Sequence, residues 1–66
     1  MLQSHVIDVN GTFVGVAVRE AGSYRFVAVD VRLDELDGRL WPTLAEVRRR
    51  VRAAWALSRA PVRAQR

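Results

Sequence analysis

Cysteine is absent from this 66-residue chain, lysine is absent as well, and there is one histidine, His5. Each absence removes a class of answer. Without cysteine there is neither a disulfide nor a thiolate metal site to staple so small a domain. A single histidine with no cysteine beside it cannot make a zinc site. No run approaches the roughly 20 apolar residues of a membrane span, and the first residues lack the basic-then-apolar pattern of a secretory signal. The expectation is a cytoplasmic protein with no metal, no cofactor and no membrane partner. Asn10-Gly11-Thr12 matches a glycosylation acceptor, but without secretion it reads as a turn.

Half of the residues are apolar, and eleven are valine. The length implies one domain close to the lower limit for a self-sufficient core. A small domain with surplus apolar surface and no staple commonly solves the problem by dimerising. The charges are segregated. Residues 1–46 hold all seven acids and four arginines, and residues 47–66 hold seven arginines and no acid. The overall net charge is +4, and its asymmetry along the chain leaves two readings, a basic segment that grips an anion and the solvated side of a helix that packs elsewhere.

Asn10-Gly11 is a strong hairpin signal, because both positions tolerate a positive φ. Ala21-Gly22 offers a second two-residue turn. Around them, SHVIDV, TFVGVAVRE and SYRFVAVDV are rich in valine and aromatics, which predicts three antiparallel strands in a meander. Two-residue turns pair Ile7 with Val14, His5 with Val16, Val16 with Val27 and Val18 with Arg25. Opposed residues share a face. One face is then expected to hold His5, Ile7, Val9, Val14, Val16, Val18, Val27, Val29 and Val31, an aliphatic surface in need of a lid. The other holds Phe13, Tyr24 and Phe26 around Gly15, Ala17 and Ala28, with Arg19 at one end and Asp8 and Asp30 at the other.

The lid is a C-terminal helix. Thr43-Leu-Ala-Glu46 has the form of a capping box, in which the threonine hydroxyl takes a backbone N–H and the glutamate reaches back. Leu44, Val47, Val51, Ala54 and Trp55 fall within about 100° of one another on a helical wheel. Pro61 ends the helix at or before Ala60. The fold expected is therefore α+β, a three-stranded meander packed by one helix (βββα), with Arg39-Leu40-Trp41 as the candidate for a short fourth strand. Residues 1–60 form the domain and 61–66 a basic tail. The acids before the helix invite comparison with a calcium loop, but its first and twelfth ligand positions would fall on Leu33 and Leu44, so the pattern fails.

A catalytic reading finds no support. Ser4 and His5 are adjacent in a strand and point to opposite faces, and no glycine-rich turn leads a helix to hold phosphate. An enzyme is not expected. Arg48, Arg52 and Arg59 line one flank of the helix with Arg49 further round, and Arg63 extends the charge into the tail. These five are the candidate nucleic-acid-binding residues. Each phosphate they neutralise would add to a salt-dependent affinity, and no helix-turn-helix, zinc-finger or RNA-recognition pattern accompanies them. The contacts expected are therefore with the nucleic-acid backbone. Phe13, Ala17, Tyr24, Phe26 and Ala28 are the candidate protein interface, on the sheet face expected to stay open.

The element order over roughly residues 4–58 is similar in topology to integrase arm-type DNA-binding domains, which read DNA with an open sheet face. No motif is shared, and the face expected to be open here carries two acids against one arginine. The function expected is a small non-enzymatic binding or regulatory module that engages nucleic acid or a nucleic-acid–protein complex through its helix arginines and self-associates through the sheet. The alternatives are a protein–protein adaptor or inhibitor of the small phage- or plasmid-encoded type, acting through the aromatic sheet face, and a small structural subunit of a larger complex.

Overall fold

Two tight turns set the path of the chain. In the computed structural model, which describes residues 3–59, Asn10 and Gly11 have φ of 52° and 84°, and Ala21 and Gly22 have 48° and 85°. Two consecutive positive φ values are the signature of the type I′ turn, whose twist matches that of the strands it joins. The turns connect β1 (Ser4–Val9), β2 (Thr12–Glu20) and β3 (Ser23–Ala28) into an antiparallel meander. A 3-10 segment, Val31–Leu36, leads to a two-residue strand β4 (Leu40–Trp41), which pairs with β3 and completes a four-stranded sheet in the order β1-β2-β3-β4. The helix α1 (Leu44–Arg59) then covers one face. The α+β class, the meander, the fourth strand and the single covering helix are as expected.

The covered face is the other one. The second hairpin pairs as its turn dictates, Val16 with Val27 and Val18 with Arg25. The first hairpin keeps the expected pairing only at its tip, Val9 with Thr12 and Asp8 with Phe13. Val14 is then an extra residue in β2, and beyond it Ile7 faces Gly15, His5 faces Ala17 and Val6 faces Val16. This β-bulge shifts β1 by one residue against β2, so His5, Ile7 and Val9 join the face of Gly15, Ala17 and Phe26. Val14 itself is buried. Its carbonyl accepts the N–H groups of Val29 (3.0 Å) and Asp30 (3.2 Å), anchoring the end of β3 to the bulge.

The core accordingly consists of Ile7, Val9, Val14, Ala17 and Phe26 from the sheet, Leu33 from the 3-10 segment, and Val47, Val51 and Trp55 from α1. Tyr24, Ala28, Trp41, Leu44 and Ala54 are half-buried around it. The helical stripe matches the wheel. The candidate interface does not survive: Ala17 and Phe26 are 0 % exposed beneath the helix, Tyr24 and Ala28 pack against the core, and Phe13 lies on the opposite face.

Size and shape account for the exchange. The Phe26 ring lies against Gly15, where an added Cβ would come within 2.5 Å of Phe26 Cζ and 2.6 Å of the Val27 carbonyl oxygen. Glycine and Ala17 together make a shallow bed for the ring. Burying Phe26, Leu33 and Trp55 on one side removes more apolar area per residue than burying valines does. The valines of the other face are good strand formers on conformational grounds, whether or not they are covered.

The segment between sheet and helix is more ordered than a run of acids suggests. Asp30 caps the 3-10 segment by accepting the Arg32 N–H (2.9 Å), and Asp37 accepts the Ala28 N–H (2.9 Å). The Gly38 N–H donates to the Phe26 carbonyl at 2.7 Å, at a glycine whose φ is 82°. Leu33, held between these caps, is 0 % exposed. At the start of α1 the Thr43 hydroxyl accepts the Glu46 N–H at 3.1 Å, which is half of the expected capping box. The Glu46 carboxylate does not reach back; it turns outward to Arg49 and Arg50.

Candidate functional site

Because Val47, Val51 and Trp55 face the sheet, the remaining surface of α1 is presented outward. It carries Arg48, Arg49, Arg50 and Arg52, all exposed, and one acid, Glu46. Glu46 Oε2 accepts from Arg49 Nη2 and, at 3.0 Å, from Arg50 Nε. These hydrogen bonds hold its carboxyl below the ordinary glutamate range, Arg50 contributing most and Arg49 next. Two of the four cations are thereby partly neutralised.

Arg48 and Arg52 differ. They stand four residues apart on one flank of the helix, where side chains are neighbours, and neither makes an ion pair among the described residues. This flank is the part of the expected stripe that the fold leaves available. Arg49 points its guanidinium at Glu46, so it reaches an anion only by exchanging that partner. The side chain of Arg59 and the whole of Arg63, with the tail, lie outside the described residues.

Two further arginines are held by aromatics. The Arg32 guanidinium sits 4.5 Å from the centre of the Trp55 ring and 3.6 Å from Asp30, and Arg19 lies 6.0 Å from the Tyr24 ring. His5 meets Tyr24 edge to face at 5.9 Å, and its Nε2 is buried without a hydrogen-bond partner. Ser4 is exposed and belongs to the other face, so these two residues do not form a nucleophile–base pair. Asp30 and Asp37 are used as backbone caps. Among the described residues no group of three or more histidine, aspartate or glutamate side chains is placed to hold a metal ion, and no helix is long and apolar enough to cross a membrane.

The uncovered side of the sheet is what sequence reading missed. Val6, Val16 and Val27 form a row across three strands, flanked by Val18 and Leu40 toward one end and by Phe13 and Val29 toward the other. Val6, Phe13, Val27, Val29 and Leu40 are all exposed. The signal that could have found it is Gly15 diagonal to Phe26 across the second hairpin, which lets the bulky ring lie over the smallest residue in the sheet. A third surface, a shallow groove of about 370 Å³ between the 3-10 segment and the last turns of α1, is lined by Leu33, Leu36, Ala54 and Leu57 together with Asp34 and Glu35.

These features define a class: a small α+β domain with an arginine-bearing helix on one side of its sheet and a bare aliphatic surface on the other. No family model, no curated protein and no solved structure matches the chain.

Proposed function

We propose that this chain is a small non-enzymatic binding or regulatory module, acting in the cytoplasm, that engages nucleic acid or a nucleic-acid–protein assembly through the arginines of α1 and associates with a protein partner or a second copy through its sheet. The observation that carries this reading is the flank of Arg48 and Arg52, two exposed guanidinium groups without an acidic partner among the described residues. Arg49 adds to it by exchange from Glu46, and Arg59 and Arg63 continue the charge toward the end of the sequence. Contacts of this kind grip phosphate and carry no base specificity.

The test is a salt series of duplex binding followed by fluorescence anisotropy. Log affinity should fall linearly with log salt, and Arg52→Gln should make the slope shallower by about 0.9 for the phosphate it no longer neutralises. Arg39→Gln, at an exposed arginine away from the helix, is the control and should change the slope less. Equal effects of the two substitutions, or no binding near physiological salt, would show the helix arginines to be solvent cover.

The second reading, an adaptor or inhibitor of the small phage- or plasmid-encoded type or a structural subunit, is favoured by the exposed aliphatic sheet face. It requires a defined protein partner and no retention on nucleic acid.

A further inference from the structure

We propose that the uncovered sheet face is the contact surface of a homodimer, in which two copies stack face to face through Val6, Val16 and Val27 with Phe13, Val29 and Leu40 around them. The proposal stands on this face alone and does not depend on the helix binding nucleic acid.

Area comes first. Val6, Phe13, Val27, Val29 and Leu40 are 66, 48, 41, 58 and 51 % exposed. With side chains of this size the face presents on the order of 500 Å² of contiguous apolar surface, at the upper end of what a monomer leaves bare. An interface of standard size buries about 800 Å² per partner and is a little over half apolar, which calls for about 450 Å² of apolar area from each copy. The face therefore supplies the apolar part of one such interface, and its polar margin supplies the rest.

Charge selects the occupant. The face carries one acid without an ion-pair partner, Asp8, whose carboxylate accepts the Gly11 N–H at 3.3 Å. Its other charges, Glu20 and Arg25, are paired with each other at 3.0 Å. Arg25 also donates to the Gly38 carbonyl at 2.8 Å. Stacking two such faces brings together the row of Val6, Val16 and Val27, which carries no charge; the Arg25 side chain, between Val18 and Leu40, goes in already paired with Glu20. The face's one cation is already paired with Glu20, and Asp8 repels a polyanion.

The net charge of +4 per copy does not oppose this arrangement. The helix lies on the far side of its own sheet, so stacking leaves the two helices on opposite outer faces. Packed sheets lie about 10 Å apart and a helix adds a similar spacing on each side, which separates Arg48, Arg49, Arg50 and Arg52 of one copy from those of the other by about 30 Å. The Debye length at physiological salt is about 8 Å, so their repulsion is screened. A dimer formed through the helices would place the same charges in contact. With a β-branched row at its middle and its one guanidinium already donating to Glu20 and Gly38, the sheet face fits a copy of itself, as two sheets fit in a sandwich.

Sedimentation equilibrium of the whole chain across a concentration series tests the proposal, with circular dichroism as the control for folding. The unaltered chain should self-associate to a dimer and no further. Val27→Glu, at an exposed position, should keep the spectrum of the folded protein and raise the dimer dissociation constant about 30-fold or more, since it puts a charge at the centre of the contact. Val27→Thr, of the same shape, serves if the glutamate variant fails to fold and should shift the constant in the same direction. A chain that stays monomeric at about 0.5 mM, or a dimer whose dissociation constant neither substitution changes, would overturn the assignment.

Discussion

The two faces of the sheet are made of neighbouring residues in the same strands, yet they differ in kind. On one, Ile7, Gly15, Ala17 and Phe26 alternate large with small, and the helix seats Val47, Val51 and Trp55 on them. On the other, Val6, Val16 and Val27 form a level row and are left bare. By apolar residue count the second face looks the better core. What decides is relief: a surface with a hollow at Gly15 and a ring to fill it buries more area per residue against a helix than a level row of valines does. Strand valine thus reports conformational preference before it reports burial.

The sharpest way to break this comparison uses two adjacent residues. Phe26→Ala should cost about 3–5 kcal/mol, the loss of a wholly buried ring. Val27→Ala, one position along and on the bare face, should cost under about 1 kcal/mol. Urea unfolding at the lowest workable concentration, where association contributes least, reads both; similar losses at the two sites would mean that the faces have been assigned wrongly.

Gly15 tests why the covered face is covered. A methyl group there has nowhere to go, with Phe26 Cζ at 2.5 Å, and Gly15→Ala should destabilise by about 1–3 kcal/mol. In a Phe26→Leu background part of that penalty should vanish, because the two ring atoms are gone while the Val27 carbonyl oxygen at 2.6 Å remains. Strict additivity of the two substitutions in the same titration would leave the glycine explained by something other than the ring.

A smaller effect calibrates the turns, which serve both faces equally. Ala21 holds a φ of 48°, a conformation that costs an ordinary residue roughly 1–2 kcal/mol and that asparagine tolerates. Ala21→Asn should therefore stabilise the protein by about 0.5–1 kcal/mol, recreating the Asn-Gly sequence of the first turn. A lower melting temperature for this variant would count against the type I′ geometry.

The smallest effect lies on the helix. Glu46 is held below its ordinary pKa by Arg50 and Arg49, so its contribution is present above the unfolded value of about 4.3 and is lost as pH falls through the lower folded value. The gap in melting temperature between the unaltered chain and Glu46→Gln should close below about pH 4. If the gap is the same at pH 3 and pH 6, the ion pairs contribute nothing to stability.

The parts of the fold that could be read in advance are those governed by near neighbours. Asn10-Gly11 and Ala21-Gly22 require positive φ and take it, Thr43 caps the helix, and the stripe of Val47, Val51 and Trp55 turns inward. Of the arginine flank, Arg48 and Arg52 are exposed without an ion pair among the described residues, while Arg49 is drawn to Glu46 because a carboxylate one turn away competes with solvent. The expected protein interface was lost for a longer-range reason: Ala17 and Phe26 belong to whichever face the helix takes, and strand alternation alone cannot say which that is.

The sequence by itself determined the order of the three long strands and the helix, the positions of both two-residue turns, the start of the helix and the segregation of charge, because each depends on φ preferences or on spacing within a few residues. Only the tertiary structure decided the bulge at Val14, the burial of Leu33 and the side of the sheet that stays bare. Each rests on contacts between residues far apart in the chain, as Gly15 and Phe26, eleven residues apart, are adjacent in space. One inserted residue in β2 exchanges the faces of β1, and whether it is worth inserting depends on how a ring, a glycine and a helix pack together.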